Sequence, residues 1–283
     1  MNYIVVKAPA KINLVLNVGR KIGKLHLVRS VMLKVDLYDE LRFTLEGEDL
    51  EITSNSFFED NLIHKSYNLL SEKGYKIGGL RVHLNKKIPV GGGLGGGSSD
   101  SASALTIMNK FFDLKISIDK MIQYGFSIGS DVPFFIVGEN AMVSHFGEFI
   151  TPINVGCLPE VIIAWSDVGT DTKSVYDRFD EIDYKSDIPD GFTFGRFIYS
   201  VEKGDIESIE RLMFNDLEYC ILKDRDDIIQ IKEVMNKEGI RCVMMSGSGS
   251  SVFGFSEDIK RMENTAKVLE REGYNIHIGK IIG

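Results

Sequence analysis

The sequence predicts an α+β fold divided into two domains, and three observations lead to this prediction. Segments rich in apolar and β-branched residues, typical of strands, occur in both halves of the chain. Helical periodicity recurs between them without a regular strand–helix alternation. The 283 residues, of which 43% are hydrophobic and 26% charged, are enough for two modest globular domains.

The first half should contain most of one sheet. We expect strands at 3–6, 12–18, 29–37, 40–45 and 80–84, helices at 61–73, 102–112 and 118–124, and a helix or a strand at 133–137. In the second half we expect strands at 160–165, 242–245, 252–255 and 275–282, and helices at 192–202, 206–213, 226–238 and 259–272. The acidic segment 177–191 is rich in turn residues and predicts no regular element. A boundary between 150 and 165 would divide the chain into domains 1–155 and 156–283.

Composition excludes several classes of protein. The net charge of −8 argues against a nucleic-acid-binding surface. There is no apolar run of membrane-spanning length and no recognisable secretory leader, so we expect a cytoplasmic protein without membrane contact. Cys157, Cys220 and Cys242 lack metal-ligand spacing and are expected to be buried free thiols. Composition leaves a monomer or a homodimer open.

The segment 89–101, PVGGGLGGGSSDS, is the most informative part of the chain. It holds six of the 28 glycines between Gly91 and Gly97. A predicted strand precedes it and a predicted helix follows it, with Ser98, Ser99 and Asp100 as candidate N-caps. Free N–H groups and the positive end of the helix dipole would then face one spot, which favours phosphate binding. The candidate phosphate-binding residues are Pro89, Val90, Gly91, Gly92, Gly93, Leu94, Gly95, Gly96, Gly97, Ser98 and Ser99.

Two familiar phosphate-binding motifs do not account for this segment. A Walker A loop requires lysine where Ser98 stands. The dinucleotide-binding fingerprint is present at Gly91, Gly93 and Gly96, but Asp113, which has the spacing of the required acidic residue, follows a helix instead of ending a strand.

Two further strings carry candidate catalytic residues. In 8–14, APAKINL, Pro9 should mark a bulge or a sheet edge, and Lys11 and Asn13 should share one side of a strand. Spacing alone favours a surface lysine. In 129–134, GSDVPF, Asp131 is equally well explained as a helix N-cap or as a general base.

These three strings resemble the signature motifs of the family that includes galactokinase, homoserine kinase, mevalonate kinase and phosphomevalonate kinase, and the resemblance covers nearly the whole chain. It implies an N-terminal domain like that of ribosomal protein S5 and a ferredoxin-like C-terminal domain, with ATP and Mg²⁺ bound between them. By the same resemblance, Lys11 lies beside the phosphate acceptor, Asp131 is the base, Asn13 helps to position the hydroxyl, and the hydroxyls of Ser98 and Ser99 lie near the phosphates or the metal.

Within the family, the strings are most similar to those of the member that phosphorylates a cytidine-diphosphate-linked methylerythritol in the non-mevalonate isoprenoid pathway. That similarity implies adenine contacts at Asn61 and Lys86. It is equally possible that Asn61 is only a helix cap and Lys86 only a surface lysine. It implies substrate contacts at His26, Thr172 and Tyr176, with an aromatic ring stacked on cytosine. The segment 245–251, MSGSGSS, is on its own more often a tight turn than a ligand loop. The resemblance implies that this turn lies beside the substrate, with Gly247 and Ser248 in contact with it.

One segment departs from the pattern. Leu25 stands before His26 where the family member has a tyrosine that covers one face of the cytosine, so apolar contact replaces aromatic stacking. The reaction type is therefore better supported than the acceptor. A kinase of the same family acting on another small alcohol, and a nucleotide-binding homologue with weakened catalysis, remain alternatives.

Overall fold

The computed structural model describes residues 3–56, 61–182 and 188–283 of the chain. The described strands form an eight-stranded and a four-stranded sheet. In chain order the strands are β1 (Tyr3–Ile22), β2 (Leu25–Leu45), β3 (Leu50–Ser54), β4 (Leu80–Asn85), β5 (Ala141–His145), β6 (Phe149–Pro152), β7 (Glu160–Trp165), β8 (Phe214–Asn215), β9 (Arg241–Met245), β10 (Val252–Ser256), β11 (Asn275–Gly279) and β12 (Ile281–Ile282).

Helices cover faces of both sheets. They are α1 (Leu62–Glu72), α2 (Gly96–Phe111), α3 (Ile118–Ile128), α4 (Val132–Val137), α5 (Thr172–Glu181), α6 (Phe194–Lys203), α7 (Ile206–Leu212), α8 (Glu218–Leu222), α9 (Asp226–Lys237) and α10 (Ile259–Arg271). None of these described helices has the length and apolar character that crossing a bilayer requires.

The long hairpin β1–β2 is the backbone of the first sheet. The two predicted strands at 3–6 and 12–18 are one continuous strand, because Pro9 is accommodated by a register shift between Pro9 and Ala10 rather than by a break. The sheet runs in the order β3-β4-β2-β1-β8, and β5 and β12 also pair with β2. This hairpin brings the start of the chain beside the glycine segment, since the Lys11 N–H donates to the Leu94 carbonyl at 2.9 Å.

The second sheet is antiparallel, in the order β11-β7-β10-β9. Its inner face shares a core with the hairpin of the first sheet: Ile12 and Leu33 belong to the same buried cluster as Ile163 and Phe253. The helices α9 and α10 cover the opposite face. The two sheets are therefore held by one continuous apolar core, which fixes the walls of the space between them.

Several sequence predictions need correction. The segment 177–191 is not irregular throughout, because α5 extends to Glu181, capped by Asp171; positions 183–187 lie outside the described residues. The predicted strand at 275–282 is two strands, and the second, β12, returns to the first sheet. Cys157 is exposed, whereas Cys220 and Cys242 are buried as expected. The hairpin β5–β6 and the short elements β3, β8 and α8 were not predicted.

Candidate functional site

A cavity of about 1240 Å³ lies between the two sheets, and most of the candidate site residues predicted from the sequence line it. The predicted residues that line it are Lys11, Asn13, His26, Asn61, Lys86, Pro89, Val90, Gly91, Gly92, Gly93, Leu94, Gly95, Gly96, Gly97, Ser98, Asp131, Thr172, Tyr176, Gly247 and Ser248. Ser99 is not among the lining residues; it is buried, and its hydroxyl has no hydrogen-bond partner among the described residues.

The glycine segment forms a loop that leads directly into α2. Gly91, Gly93 and Gly95 have φ near +70°, a region that other residues adopt at a cost. The N-cap of α2 is Gly95, so the prediction of a serine or aspartate cap is wrong, and Ser98 and Ser99 lie in the first turn of the helix. The first-turn N–H groups of this helix lack intrahelical partners, which is the arrangement that binds anions.

The loop is held by its carbonyl groups. Those of four successive residues, 91–94, accept hydrogen bonds from other elements. The donors are the N–H of Thr170 at 2.9 Å, the N–H of Ser251 at 3.1 Å, the hydroxyl of Ser246 at 3.1 Å and the N–H of Lys11 at 2.9 Å. The loop is therefore fixed to both halves of the chain before any ligand binds.

Close backbone approach explains why glycine is required. A Cβ atom at Gly93 would lie 2.1 Å from the carbonyl oxygen of Ser246, and one at Gly96 would lie 2.8 Å from the Ile88 side chain. Both distances are far inside van der Waals contact, so no larger residue fits without displacing the loop. A closely packed glycine loop at a helix N-terminus is suited to binding an anion such as phosphate.

Lys11, Asn13 and Asp131 form a connected group of polar side chains that lines the cavity. Lys11 is buried, and its Nζ donates to Asn13 Oδ1 at 2.6 Å and lies 3.6 Å from Asp131 Oδ2. Asn13 in turn donates to the Ser30 hydroxyl at 2.8 Å, which donates to the Val15 carbonyl. The spacing argument for a surface lysine is thus wrong, and this chain of hydrogen bonds orients the ammonium group.

The charge of Lys11 depends on its neighbour. Burial lowers the pKa of Lys11 from its ordinary value, and the carboxylate of Asp131 opposes that shift. Asp131 occupies the N-cap position of α4, yet its side chain makes no capping hydrogen bond to that helix. With 29% of its side chain exposed, the carboxylate is open to the cavity and remains available to a substrate hydroxyl.

Lys86 and Asn61 have structural partners as well as places in the cavity wall. Asn61 caps α1 by accepting the Ile63 N–H at 2.8 Å. Lys86 Nζ donates to Asp39 and, at 2.9 Å, to Asp100. Burial raises the pKa of Asp100 to about 7, although Lys86 pulls it down. The lysine is therefore not the exposed surface residue that one reading of the sequence allowed.

An aromatic pair, His26 and Tyr176, also lines the cavity. The rings of His26 and Tyr176 are stacked with centroids 5.1 Å apart, and His26 Nε2 lies 2.7 Å from Asp180 Oδ1. Thr172 and Ser248 share a hydrogen bond of 2.8 Å, which links α5 to the turn after β9. The predicted substrate residues are thus brought together on one wall.

The sequence analysis missed two buried residues, Asn215 and Asp216, that support this wall from behind. Asn215 donates to the carbonyls of Met245 and Gly247 at 2.9 and 2.8 Å, and so holds the turn that faces Lys11. Asp216 accepts the Val18 N–H at 2.7 Å and ties β8 to β1. The adjacent polar pair between two predicted helices, at 215–216, was the signal available.

No group of three or more His, Cys, Asp or Glu side chains within 3–56, 61–182 and 188–283 is arranged to hold a metal ion. Mg²⁺ in nucleotide sites is usually bound by one or two protein oxygens together with phosphate oxygens and water. Ser98 and Asp131, which carry oxygen atoms of this kind, both line the cavity.

Comparison with known proteins agrees with this geometry. Residues 61–139 match the family described as GHMP kinases N terminal domain, and residues 197–275 match GHMP kinases C terminal. The chain belongs to the GHMP kinase family, whose members are phosphotransferases that use ATP as phosphate donor.

Within the family, the chain is similar over nearly its whole length to proteins that share one name. The chain is 37% identical over 280 residues to 4-diphosphocytidyl-2-C-methyl-D-erythritol kinase of Lachnospira eligens, covering 96% of each chain. It is 34% identical over 275 residues to the protein of the same name from a Thermoanaerobacter species, covering 95% of this chain and 93% of the relative.

Solved structures agree on the fold. A crystal structure of 4-(cytidine 5'-diphospho)-2C-methyl-D-erythritol kinase superposes with a TM-score of 0.82 at 26% identity, covering 99% of this chain and all of the other. Homoserine kinase from Cytophaga hutchinsonii, at 17% identity, has a TM-score of 0.70 over 99% of this chain and 95% of its own and is similar in fold. The expected family and fold class are both confirmed.

Proposed function

We propose that this protein is an ATP-dependent kinase that phosphorylates the 2-hydroxyl of 4-diphosphocytidyl-2-C-methyl-D-erythritol. The observation that carries the proposal is the position of Lys11 and Asp131, 3.6 Å apart, in the same cavity as a glycine loop at a helix N-terminus. The names of the full-length relatives support the choice of acceptor.

In this mechanism Asp131 accepts the proton of the attacking hydroxyl. The hydroxyl oxygen forms a bond to the γ-phosphorus while the bond between that phosphorus and the β,γ-bridging oxygen breaks, and ADP leaves. Phosphoryl transfer asks the protein mainly for positioning and charge neutralisation. A carboxylate that is open to the cavity and free of helix capping is suited to this role.

Lys11 would orient Asp131 and offset the negative charge that develops on the transferred group. Asn13 fixes the lysine through the 2.6 Å hydrogen bond, so Lys11 contacts Asn13 and Asp131 in one rotamer. The first-turn N–H groups of α2, with the Ser98 hydroxyl, would bind the phosphates of ATP. Mg²⁺ would supply further charge neutralisation, held by phosphate oxygens and the Ser98 hydroxyl.

On the acceptor side, His26 and Tyr176 offer flat surfaces to a nucleobase, and Thr172 and Ser248 offer hydroxyls. Leu25, which also lines the cavity, would contribute an apolar contact in place of an aromatic one. We propose in addition that residues 1–155 carry the ATP site and residues 156–283 most of the acceptor wall, with Asn13 and His26 contributed by the first part.

A coupled ADP-release assay tests the function. We expect turnover with the cytidine-linked acceptor and far less with methylerythritol phosphate lacking cytidine, homoserine or mevalonate. Equal or faster turnover with one of those alcohols would overturn the choice of acceptor and leave the kinase chemistry intact. No ADP release with any acceptor would favour a catalytically weakened nucleotide-binding protein.

A further inference from the structure

Three charged side chains are buried together beneath the glycine loop. Asp39 of β2 is fully buried. The side chains of Lys86, just after β4, and of Asp100, the fifth residue of α2, are 5% and 4% exposed. Lys86 Nζ donates to Oδ2 of both aspartates. We call this group the ionic clasp.

The ionic clasp joins the two ends of the loop. Asp39 Oδ1 accepts the N–H of Lys87 at 2.6 Å and that of Ile88 at 2.9 Å, the two residues before Pro89. The other oxygen of the same carboxylate binds Lys86, which reaches Asp100 on the far side of the glycines. One strand residue thus fixes both where the loop leaves β4 and where it becomes α2.

Lys86 also limits the space under the loop. A Cβ at Gly96 would lie 3.1 Å from Lys86 Nζ, so the ammonium group lies directly against the first residue of α2. The ammonium group has three N–H donors, and two of them already bind carboxylates. Only one donor is left for an adenine ring. Buried ion pairs of this kind hold their shape only while every member is present.

We propose that Asp39, Lys86 and Asp100 are positioning residues for the phosphates of the nucleotide: they hold the glycine loop in its receiving geometry, and Lys86 acts through the loop rather than on adenine. This rests on the ATP-dependent function proposed above. Donor groups that are placed before the ligand arrives bind a phosphate more strongly than groups that must be ordered first.

The test compares two halves of the nucleotide as separate probes, inorganic tripolyphosphate and adenosine, by calorimetry with the full-length protein. In Lys86→Met we expect the affinity for tripolyphosphate and for ATP to fall by about tenfold or more, with adenosine changed by less than about twofold. Asp100→Asn, which keeps the side-chain volume, should show a smaller loss of affinity for tripolyphosphate and ATP. This variant replaces Lys86→Met in the test if Lys86→Met does not fold. Lys87→Met, which removes an exposed neighbouring lysine, should bind tripolyphosphate, adenosine and ATP as the wild type does.

Kinetics provide the second readout. The KM for ATP should rise in Lys86→Met and Asp100→Asn while the KM for the acceptor and kcat at saturating ATP change little. An unchanged tripolyphosphate affinity in a folded Lys86→Met protein, or an equal loss for adenosine, would overturn the proposal. A wild type that binds ATP but phosphorylates no cytidine-linked acceptor would refute the function proposed above and leave the ionic clasp standing.

Discussion

Gly93→Ala is the substitution whose cost the structure specifies most directly. The added Cβ would lie 2.1 Å from the Ser246 carbonyl oxygen, whereas real contacts of this kind are rarely under 3.0 Å, so the two loops must separate by about 1 Å. The φ of +73° adds a strain of about 1–2 kcal/mol for a non-glycine residue. A displacement of about 1 Å at a reacting centre can cost about 100-fold in rate.

We therefore expect kcat/KM for ATP to fall about 100-fold in Gly93→Ala, measured by ADP release, and the melting temperature to fall by about 3–6 °C, measured by calorimetry. The matched control is Gly195→Ala in α6, where a Cβ meets no atom within 4 Å and φ is not positive. It should keep full activity and melt no lower than the wild type. Wild-type kcat/KM in a folded Gly93→Ala protein would refute the claim that this close approach sets the loop.

Three further predictions concern the catalytic pair and the aromatic wall. Asp131→Asn should lower kcat by about 10²–10⁴-fold with little change in the KM of ATP, and unchanged steady-state turnover would rule out the base. Because burial lowers the pKa of Lys11, activity that needs its charge should be lost on the alkaline side below pH 10.5 in a kcat/KM profile, and Lys11→Arg, if active, should move that loss upward. Asp180→Asn should free the His26 ring and raise the KM of the cytidine-linked acceptor about tenfold, with the KM of ATP unchanged. An acceptor KM equal to that of the wild type would contradict a role for the contact between His26 and Asp180 in binding the acceptor.

Local patterns in the sequence were enough to predict the elements that position the site. The glycine segment is an informative pattern because other residues would meet its backbone requirements only at a cost in strain. The alternation at Lys11 and Asn13 correctly placed both side chains together. The burial of Lys11 did not follow from spacing, since it depends on the glycine loop and α4, which are distant in sequence. The motif resemblance supplied that information instead.

The elements and contacts that the sequence did not predict have a common physical cause. β12 returns to the first sheet, and β8 pairs with β1 over two residues only; such pairings depend on where the rest of the chain lies rather than on local preference. Gly95 caps α2 in place of a serine because a left-handed backbone was needed at that point. The partners of Lys86 come from β2 and α2, so its role was not visible in its own segment.

In the proposed reaction, the protein transfers one phosphoryl group from ATP to an alcohol of the cytidine-linked acceptor. The most direct test is ³¹P NMR of the wild-type reaction, with ADP measured in the same sample. We predict one new phosphomonoester on the acceptor for each ADP formed, and formation of both products at least about 100-fold more slowly in Asp131→Asn. ADP formed without a phosphorylated acceptor, or a phosphomonoester formed equally well by Asp131→Asn, would contradict this prediction.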